Sequence, residues 1–324
     1  MKIIILAGGL SPEREVSLVS ASQIAKALIG KGHCVFILDL YKGINDLSEL
    51  TFCNDKKQIK NYKINSNAPE ILNDKNLIGP NIIPACKMAD TIYIALHGDI
   101  GENGKIQSLL DLNNIKYTGS GYDGCMLSMD KNISKMLVSH SKIKTAAWSI
   151  NHKDDNLSYP LVVKPSNGGS SIGVSIVHND NELKTALENA KKYDSTVLIE
   201  EKIEGTEVSV GILDNKPLPV IEIAPKQGFY DYKNKYQSGM TVEICPADIS
   251  PDITETVQKT ALAIHHLLHL KYYSRIDFII DKSGIPYFLE ANALPGMTPQ
   301  SLLPQEAKAA DISYEELCDK IAKN

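Results

Sequence analysis

The segment KPSNGGSSIG, residues 164–173, places three glycines, three serines and a lysine between the apolar runs LVV and VSIV. The flanking runs predict two strands, and the polar segment predicts the loop that joins them. Such a loop can turn many backbone N–H groups and hydroxyls toward one anion, and Lys164 adds a charge suited to phosphate. It is not a P-loop, because the lysine precedes the glycines. The segment alone leaves two interpretations open, a flexible exposed hairpin and a lid that closes over phosphate.

The composition is typical of a globular protein with more than one domain. The chain has 324 residues, of which 43% are hydrophobic and 23% are charged, and its length exceeds the usual size of one domain. A net charge of -5 argues against a general nucleic-acid binder. No stretch approaches the roughly 20 apolar residues that a membrane span needs. The six cysteines form no CxxC pair, which favours a reducing, cytoplasmic compartment.

The first third of the chain alternates between strand-like and helix-like patterns. Residues 2–7 predict a buried strand, residues 11–30 a helix and residues 34–40 a second strand. This order predicts a βαβ unit and a parallel sheet. Residues 91–96 predict another buried strand, followed by a glycine-rich loop and a helix that begins near Gly104. In open α/β sheets, ligands bind at the carboxyl ends of the strands, where this loop lies.

The rest of the chain has a different pattern. Residues 41–90 are polar and predict irregular connections with one helix, and residues 128–140 predict a further helix with Asp130 near its start. From about Tyr159 the short runs LVVKP, GVSIV, VLIEE, EVSVGIL and LPVIEI predict an antiparallel sheet. A last long helix over 253–270 precedes two strands, RIDFIID and PYFLEAN.

These last two strands carry the acids Asp277 and Glu290 and the amide Asn292. If the strands pair, the two acids can face one another, with Asn292 on the same side as Glu290. Two carboxylates and an amide oxygen suit a Mg²⁺ ion that bridges phosphates. An unpartnered acid between apolar strands would be costly to bury, so the alternative is a pair of surface acids at strand ends.

Other polar residues give weaker signals. Glu200 and Glu207 flank a glycine turn, as expected of a hinge that holds a nucleobase and ribose, or of an ordinary solvated turn. A lone histidine is usually structural or solvated, but His97 lies between a strand end and a glycine loop, and this position strengthens the case for a binding role. His265 and His269 have the spacing of a metal pair. They lack an acidic partner in register, so we expect both on a helix surface.

The motifs together closely resemble those of the D-alanine–D-alanine ligases, within the ATP-grasp superfamily. The resemblance covers nearly the whole chain and follows the family's order. It implies an α/β fold with an α+β carboxyl-terminal part: a parallel α/β domain (1–119), a central ATP-grasp subdomain with the lid (120–200) and a carboxyl-terminal subdomain with a metal site (201–324). The motifs are EREVSLVSA, ALHGDIGENG, SMDK, LVVKPSNGGSSIGV, LIEEKIEGTEVSV, FYDYKNKY, CPA, SRIDFII and LEANALPGMTPQSLLP.

The resemblance assigns one set of residues to ATP and to two Mg²⁺ ions, which Mn²⁺ can replace. It implies lysines and a lid serine at the phosphates, acids on the adenine and ribose sides, and hinge backbone at the adenine edge. The ATP residues are Lys131, Lys164, Ser171, Glu200, Glu201, Lys202, Ile203 and Glu207, and the metal ligands are Asp277, Glu290 and Asn292.

A second set is assigned to the amino acids. Glu15 and His97 match residues around the first D-alanine, and Ser170 resembles a lid serine that is hydrogen-bonded to Glu15 and Tyr236. Arg275 and the backbone N–H of Gly296 match the oxyanion site. The remaining residues, assigned to substrate and to the second carboxylate, are Lys235, Ser301 and Leu302.

The resemblance implies ligation of two D-alanine molecules through an acyl phosphate, for peptidoglycan precursors, by a cytoplasmic homodimer. Its partners are small molecules, without nucleic acid or membrane. Lys235 and Tyr236 resemble the dipeptide-forming type, which argues against D-lactate as the acceptor and leaves D-serine open. Another carboxylate–amine ligase and an ATP-binding regulatory module are more distant alternatives. The chain departs from the family's motifs at two points. Asn103 stands where the family more often has an acid, and EANA replaces EIN or EVN followed by threonine.

Overall fold

The computed structural model describes residues 1–63, 76–169, 171–225 and 241–324. The first elements form a parallel sheet of three strands in the order β2-β1-β3, which confirms the predicted βαβ unit. The central strand β1 is buried along all but its first residue, as expected where helices cover both faces. These elements are β1 (Lys2–Ala7), α1 (Arg14–Gly30), β2 (Cys34–Asp39), α2 (Ile82–Cys86) and β3 (Thr91–Ile94).

Four helices follow β3, and the last two are separated by one residue, Asp130. The sequence predicted a single helix over 128–140, whereas one helix ends before Asp130 and another begins after it. The Asp130 carboxylate accepts hydrogen bonds from the backbone N–H groups of Asn132 and Ile133, which caps the second helix. The helices are α3 (Asp99–Glu102), α4 (Lys105–Leu112), α5 (Tyr122–Met129) and α6 (Lys131–His140).

The strands after Tyr159, together with one short strand before it, form two antiparallel sheets, so the prediction of one sheet is wrong. The first sheet has the order β4-β7-β5-β6, and the second has the order β11-β10-β8-β12-β13 with β9 beside β8. The division arises because β8 pairs along its length with β12, far later in the chain, which local patterns do not encode. The first sheet contains β4 (Trp148–Ile150), β5 (Leu161–Pro165), β6 (Ser175–Val177) and β7 (Val197–Glu201), with α7 (Asp180–Ala190) between β6 and β7; the second contains β8 (Gly205–Leu213), β9 (Lys216–Pro217), β10 (Ile221–Pro225), β11 (Thr241–Ile244), β12 (Tyr273–Asp281) and β13 (Pro286–Asn292), with α8 (Pro251–Leu267) between β11 and β12.

The end of the chain packs against its beginning. Two helices, α9 (Leu302–Ala309) and α10 (Tyr314–Lys323), follow β13. Helix α10 packs against α1 and β3, and its Leu317 shares a buried core with Leu28 of α1. Helices α5 and α6 in turn contact β13. The three-domain division given above stays a prediction.

The two histidines of the HHLLH segment have different environments. His265 is buried in α8 and its Nδ1 lies 2.7 Å from the Ser274 hydroxyl, so the prediction of a helix-surface position is wrong for it. His269 follows the helix, is exposed, and has an acidic neighbour in Asp123 at 3.0 Å. Among the residues that the structure describes, no group of three or more His, Cys, Asp or Glu side chains is arranged to hold a metal ion.

Within the same described ranges, no helix combines the length and the apolar character that crossing a bilayer would require.

Candidate active site

A cavity of about 600 Å³ lies where residues of both antiparallel sheets and of the glycine-rich loop meet. Its apolar wall includes Val162, Ile176 and Ile279, which suits a flat heterocyclic ring. Its lining contains every residue that the sequence assigned to ATP, together with two of the three assigned metal ligands. These residues are Lys131, Lys164, Ser171, Glu200, Glu201, Lys202, Ile203, Glu207, Asp277 and Glu290.

The glycine-rich loop that joins β5 to β6 is anchored at its base. The Ser166 hydroxyl donates to Asp130 Oδ1 (2.6 Å), and Asn167 donates twice to Asp194 Oδ2, through its backbone and side-chain N–H groups (both 2.8 Å). Lys131 Nζ donates to the Gly168 carbonyl oxygen at 2.6 Å. The start of the loop is therefore tied to the first turn of α6, and this part is not a free hairpin.

The loop also separates the main cavity from a second one of about 560 Å³. The second cavity shares the loop residues 167–169 and is lined on its other side by Glu13, Gly98 and Asn103. A Cβ atom added at Gly98 would lie 2.7 Å from Glu13 Oε2, so the glycine permits this close approach. The loop thus faces the residues that the sequence assigned to ATP on one side and the loops of the amino-terminal sheet on the other.

Glu200 has two lysine neighbours in the wall of the main cavity. Its carboxylate is 3% exposed, forms an ion pair with Lys164, and lies 2.7 Å from Lys135 Nζ. Burial favours the neutral acid, but the two ammonium groups outweigh burial and lower the pKa of Glu200 to about 2. Glu200 is therefore a carboxylate at neutral pH.

The sequence reasoning missed Lys135. It lies one helical turn after Lys131, and this i, i+4 spacing places both side chains on the face of α6 that points toward the cavity wall. The lysine spacing was thus a usable signal. The ion pair between Lys135 and Glu200 could not be predicted from the sequence, because it depends on how α6 packs against β7.

The predicted pairing of the two acids is confirmed by strand register. Asp277 on β12 lies opposite Glu290 on β13, and Arg275 lies opposite Asn292. Asp277 accepts hydrogen bonds from Ser209 (2.6 Å), from Asn292 (3.1 Å) and from Arg275 through both Nε (2.9 Å) and Nη2 (2.8 Å). The alternative of solvated surface acids does not hold for Asp277, which is buried.

This set of ligands suits Mg²⁺ better than it suits a metal ion whose ligands all come from protein side chains. Asp277 and Glu290 both line the cavity and Asn292 adjoins Asp277, which gives two carboxylates and one amide as hard oxygen ligands. Mg²⁺ commonly takes one or two carboxylates and fills its other positions with water and substrate phosphates. Lys131 Nζ, 3.5 Å from Glu290 Oε2, places a cation at the same edge of the cavity.

Gly296, assigned to the oxyanion site, and Ser301, assigned to the second carboxylate, lie close together. Ser301 precedes the first residue of α9, Leu302, and its hydroxyl accepts the Thr298 backbone N–H at 3.1 Å. A Cβ at Gly296 would lie 2.9 Å from Ser301 Oγ, so only glycine fits here without displacing the serine. The segment between β13 and α9 therefore brings Gly296 and Ser301 into contact.

On the amino-terminal side, His97 is buried and pairs with a second residue that the sequence reasoning missed, Glu102. His97 Nδ1 lies 3.6 Å from Glu102 Oε1. Burial lowers the pKa of His97, but Glu102, together with Glu13 and the backbone of Leu294, outweighs burial and raises it. Leu294 belongs to the segment that carries Gly296, so His97 adjoins the predicted oxyanion region. Glu15 lies in the first turn of α1.

Three assigned residues, Ser170, Lys235 and Tyr236, lie outside the described residues. The departure at Asn103 has a clear structural role. Its side chain accepts the Lys105 backbone N–H and donates to Asp99 Oδ1, both at 3.2 Å, so the amide supports the start of α4 without a carboxylate.

Glu306 on α9 is a buried acid behind Arg275 and Asp277. It is 0% exposed, its Oε1 accepts the Gly211 N–H at 2.9 Å, and its Oε2 has no hydrogen-bond partner among the described residues. Burial raises the pKa of Glu306 from 4.5 to about 8, against the opposing effects of the Gly211 N–H and Arg275. Glu306 of the folded protein therefore keeps its proton up to about pH 8, whereas in the unfolded chain it loses the proton near pH 4.5.

Replacement of Glu306 should change how stability depends on pH. Between about pH 4.5 and 8 the folded state binds more protons, so the free energy of unfolding falls as pH rises through this window. Glu306→Gln removes the titration, and we expect the variant to gain Tm relative to the parent at pH 8 but much less at about pH 5. Differential scanning calorimetry at both pH values checks this, and an equal Tm shift at the two would contradict it.

Comparisons with known proteins show which family the chain is similar to. A family model described as "D-ala D-ala ligase N-terminus" matches residues 2–120, and one described as "D-ala D-ala ligase C-terminus" matches residues 131–323. The chain is 42% identical over 340 residues to the D-alanine–D-alanine ligase of Pediococcus pentosaceus, covering 99% of this chain and 96% of that protein.

Two solved structures are similar over nearly the whole chain. The D-alanine–D-alanine ligase from Bacillus anthracis, complexed with ATP, has a TM-score of 0.78 at 33% identity and covers 100% of this chain and 96% of its own. The VanG D-Ala:D-Ser ligase from Enterococcus faecalis has a TM-score of 0.77 at 27% identity, covering 99% of this chain and 98% of its own.

Proposed function

The chain belongs to the D-alanine–D-alanine ligase family, and we propose that its main cavity is where ATP drives the joining of two D-alanine molecules. The predicted ATP-grasp fold and ATP-dependent ligase activity, which serves peptidoglycan synthesis, are confirmed. One observation carries the assignment of the site. Lysines, an anchored glycine-rich loop and a register-matched pair of acids converge on one cavity of about 600 Å³.

The nucleotide is proposed to lie along the cavity with its phosphates toward the glycine-rich loop. Lys131 and Lys164 line that end and can neutralise phosphate charge. The hinge over residues 201–203 lines the same cavity, where its backbone can contact the adenine edge, and the acids Glu200 and Glu207 lie on either side of it. The apolar wall would pack against the ring.

The proposed metal ligands are Asp277, Glu290 and Asn292, for two Mg²⁺ ions or Mn²⁺. Bound there, the ions would neutralise and align the ATP phosphates. Arg275 orients the Asp277 carboxylate by its two hydrogen bonds, and Ser209 adds a third. These contacts hold the acid in place before ligand binds, which lowers the cost of assembling the site.

The amino acids are proposed to bind between the oxyanion segment and the amino-terminal sheet. A carboxylate is a poor acyl donor, so the first D-alanine, beside Glu15 and His97, is converted by ATP to an acyl phosphate. The second amine then attacks, and the developing oxyanion needs preorganised donors. In this proposal the Arg275 guanidinium and the Gly296 N–H supply those donors, and the second carboxylate binds near Ser301 and Leu302.

The glycine-rich loop would also protect the intermediate. An acyl phosphate hydrolyses if water reaches it, so closure over the site keeps ATP use coupled to dipeptide formation. The predicted latch from Ser170 to Glu15 and Tyr236 would serve this closure.

An isotope experiment tests the acyl-phosphate route. D-Alanine labelled with ¹⁸O in its carboxylate should transfer one ¹⁸O atom to inorganic phosphate for each dipeptide formed, because the bridging oxygen leaves with the phosphoryl group. Mass spectrometry of the released phosphate measures this transfer. Unlabelled phosphate at full dipeptide yield would contradict the route.

D-Serine is the second candidate acceptor, since the VanG D-Ala:D-Ser ligase is similar over 99% of this chain. The 42% identity to a D-alanine–D-alanine ligase favours D-alanine. With D-alanine and D-serine supplied together at equal concentration, D-alanyl-D-alanine should be the main product by mass spectrometry. A homodimer and a cytoplasmic location stay predictions; light scattering of the purified protein tests the first.

A further inference from the structure

The buried lysine Lys135 belongs to none of the roles assigned above. It is 1% exposed, and its ammonium group contacts three other groups at once. Nζ lies 2.7 Å from Glu200 Oε2, donates to Thr145 Oγ1 at 2.9 Å, and lies 5.0 Å from the centre of the Trp148 ring. A charge this deeply buried is stable only where such partners compensate for lost water.

The partners of Lys135 are themselves fixed. Thr145 Oγ1 donates to the Phe288 carbonyl oxygen on β13 at 2.9 Å. Trp148 lies directly opposite Glu200 in the β4–β7 pair, so the two side chains share one face of the sheet. The Trp148 indole N–H donates to Asn132 Oδ1 at 3.0 Å, which ties this strand to the same helix as Lys135.

Glu200 has two cationic partners, and they differ in what else they face. Lys164 lines the main cavity and forms an ion pair with Glu200. In the proposed function Lys164 binds the ATP phosphates. Its single ammonium group is then shared between Glu200 and the phosphates, which carry much more negative charge. Lys135 does not line the cavity and stays behind Glu200. Without it, phosphate binding by Lys164 would leave a buried carboxylate poorly compensated.

We propose that Lys135 is a positioning residue that holds the Glu200 carboxylate at the adenine end of the cavity while Lys164 turns to phosphate. The proposal rests on the assignment of the cavity to ATP. It makes a lysine without nucleotide contact a determinant of nucleotide affinity.

Trp148 provides a direct readout. It is the single tryptophan of the chain, and its contact with Lys135 places it beside the Glu200 network. Titration of the parent protein with ADP and Mg²⁺, without D-alanine, should change the tryptophan emission and give a Kd independent of turnover. The test variant is Lys135→Met, and the matched control is Lys184→Met, on the exposed face of α7.

Lys135→Met should weaken ADP binding about tenfold or more, because the buried Glu200 carboxylate loses its remaining ion-pair partner when Lys164 turns to phosphate. The KM for D-alanine should change little, and Lys184→Met should match the parent. A merely structural lysine would lower Tm and leave the ADP Kd unchanged, and that result would overturn the proposal.

A double variant, Lys135→Met with Glu200→Gln, tests whether Lys135 acts through Glu200. It also limits misfolding, because it removes both buried charges and leaves neither without its partner. If Lys135 acts through Glu200, the double variant should bind ADP no more weakly than Glu200→Gln alone. A further loss of about tenfold in the double variant would overturn the proposal. If the parent itself fails to bind ADP, the assignment of the cavity fails. If the parent binds ADP and Lys135→Met binds it equally well, only the role of Lys135 fails.

Discussion

Glu290→Gln is expected to lower kcat by about 100-fold or more, a barrier increase of roughly 2.7 kcal/mol. Glu290 lies opposite Asp277 across the β12–β13 pair and lines the main cavity beside Lys131. The amide has nearly the same shape but lacks the negative charge and the second anionic oxygen that bridging two cations requires. The loss should therefore be chemical, with the fold intact.

Steady-state ADP release at saturating ATP, Mg²⁺ and D-alanine measures the effect. Glu188→Gln, on the exposed surface of α7, is the matched control and should behave as the parent does. Equal Tm values for parent and variant establish that the fold is kept. A loss below about tenfold, which is less than roughly 1.4 kcal/mol, would refute the metal role of Glu290.

Arg275→Lys is expected to lower kcat by about 100- to 1,000-fold, the range seen when one oxyanion donor is removed. Arg275 donates hydrogen bonds to Asp277 from both Nε and Nη2, and an arginine guanidinium carries five N–H donors in all. Lysine keeps the charge but cannot form the two-point contact and reach an oxyanion at once. Both the metal ligand and the oxyanion site should therefore be disturbed.

The chain supplies its own control, because its only other arginine is Arg14. Arg14 also pairs with an aspartate, Asp39, but in the amino-terminal sheet. Arg14→Lys should lower Tm modestly and keep kcat close to that of the parent. Comparable losses of kcat in the two variants would mean that a general loss of arginine pairing, and not the chemistry at Arg275, explains the effect.

Much of the site was predictable where local pattern determines position. The strand patterns of RIDFII and PYFLEAN allowed Asp277 and Glu290 to face one another if the two strands pair, and the observed register shows that they do. The apolar run at residues 2–7 likewise predicted a strand of a parallel sheet, because a strand that is covered on both faces is apolar throughout.

Features that depend on tertiary contacts were not predictable. The two antiparallel sheets arise from the pairing of β8 with β12, whose partners are far apart in sequence. Lys135 and Glu306 look like ordinary helix-surface charges in the sequence, and only the packing of α6 and α9 against the sheets buries them. His265 was misassigned to a surface for the same reason. The partner of His97, Glu102, also emerges only from the folded loop.

The main cavity is proposed to activate D-alanine with ATP. The most direct test of this proposal is ADP release by the purified protein with ATP and Mg²⁺, measured with D-alanine, with L-alanine and with no amino acid. Rapid ADP release and one dipeptide per ADP are expected with D-alanine only. Equal ADP release with L-alanine, or without any amino acid, would contradict the proposal.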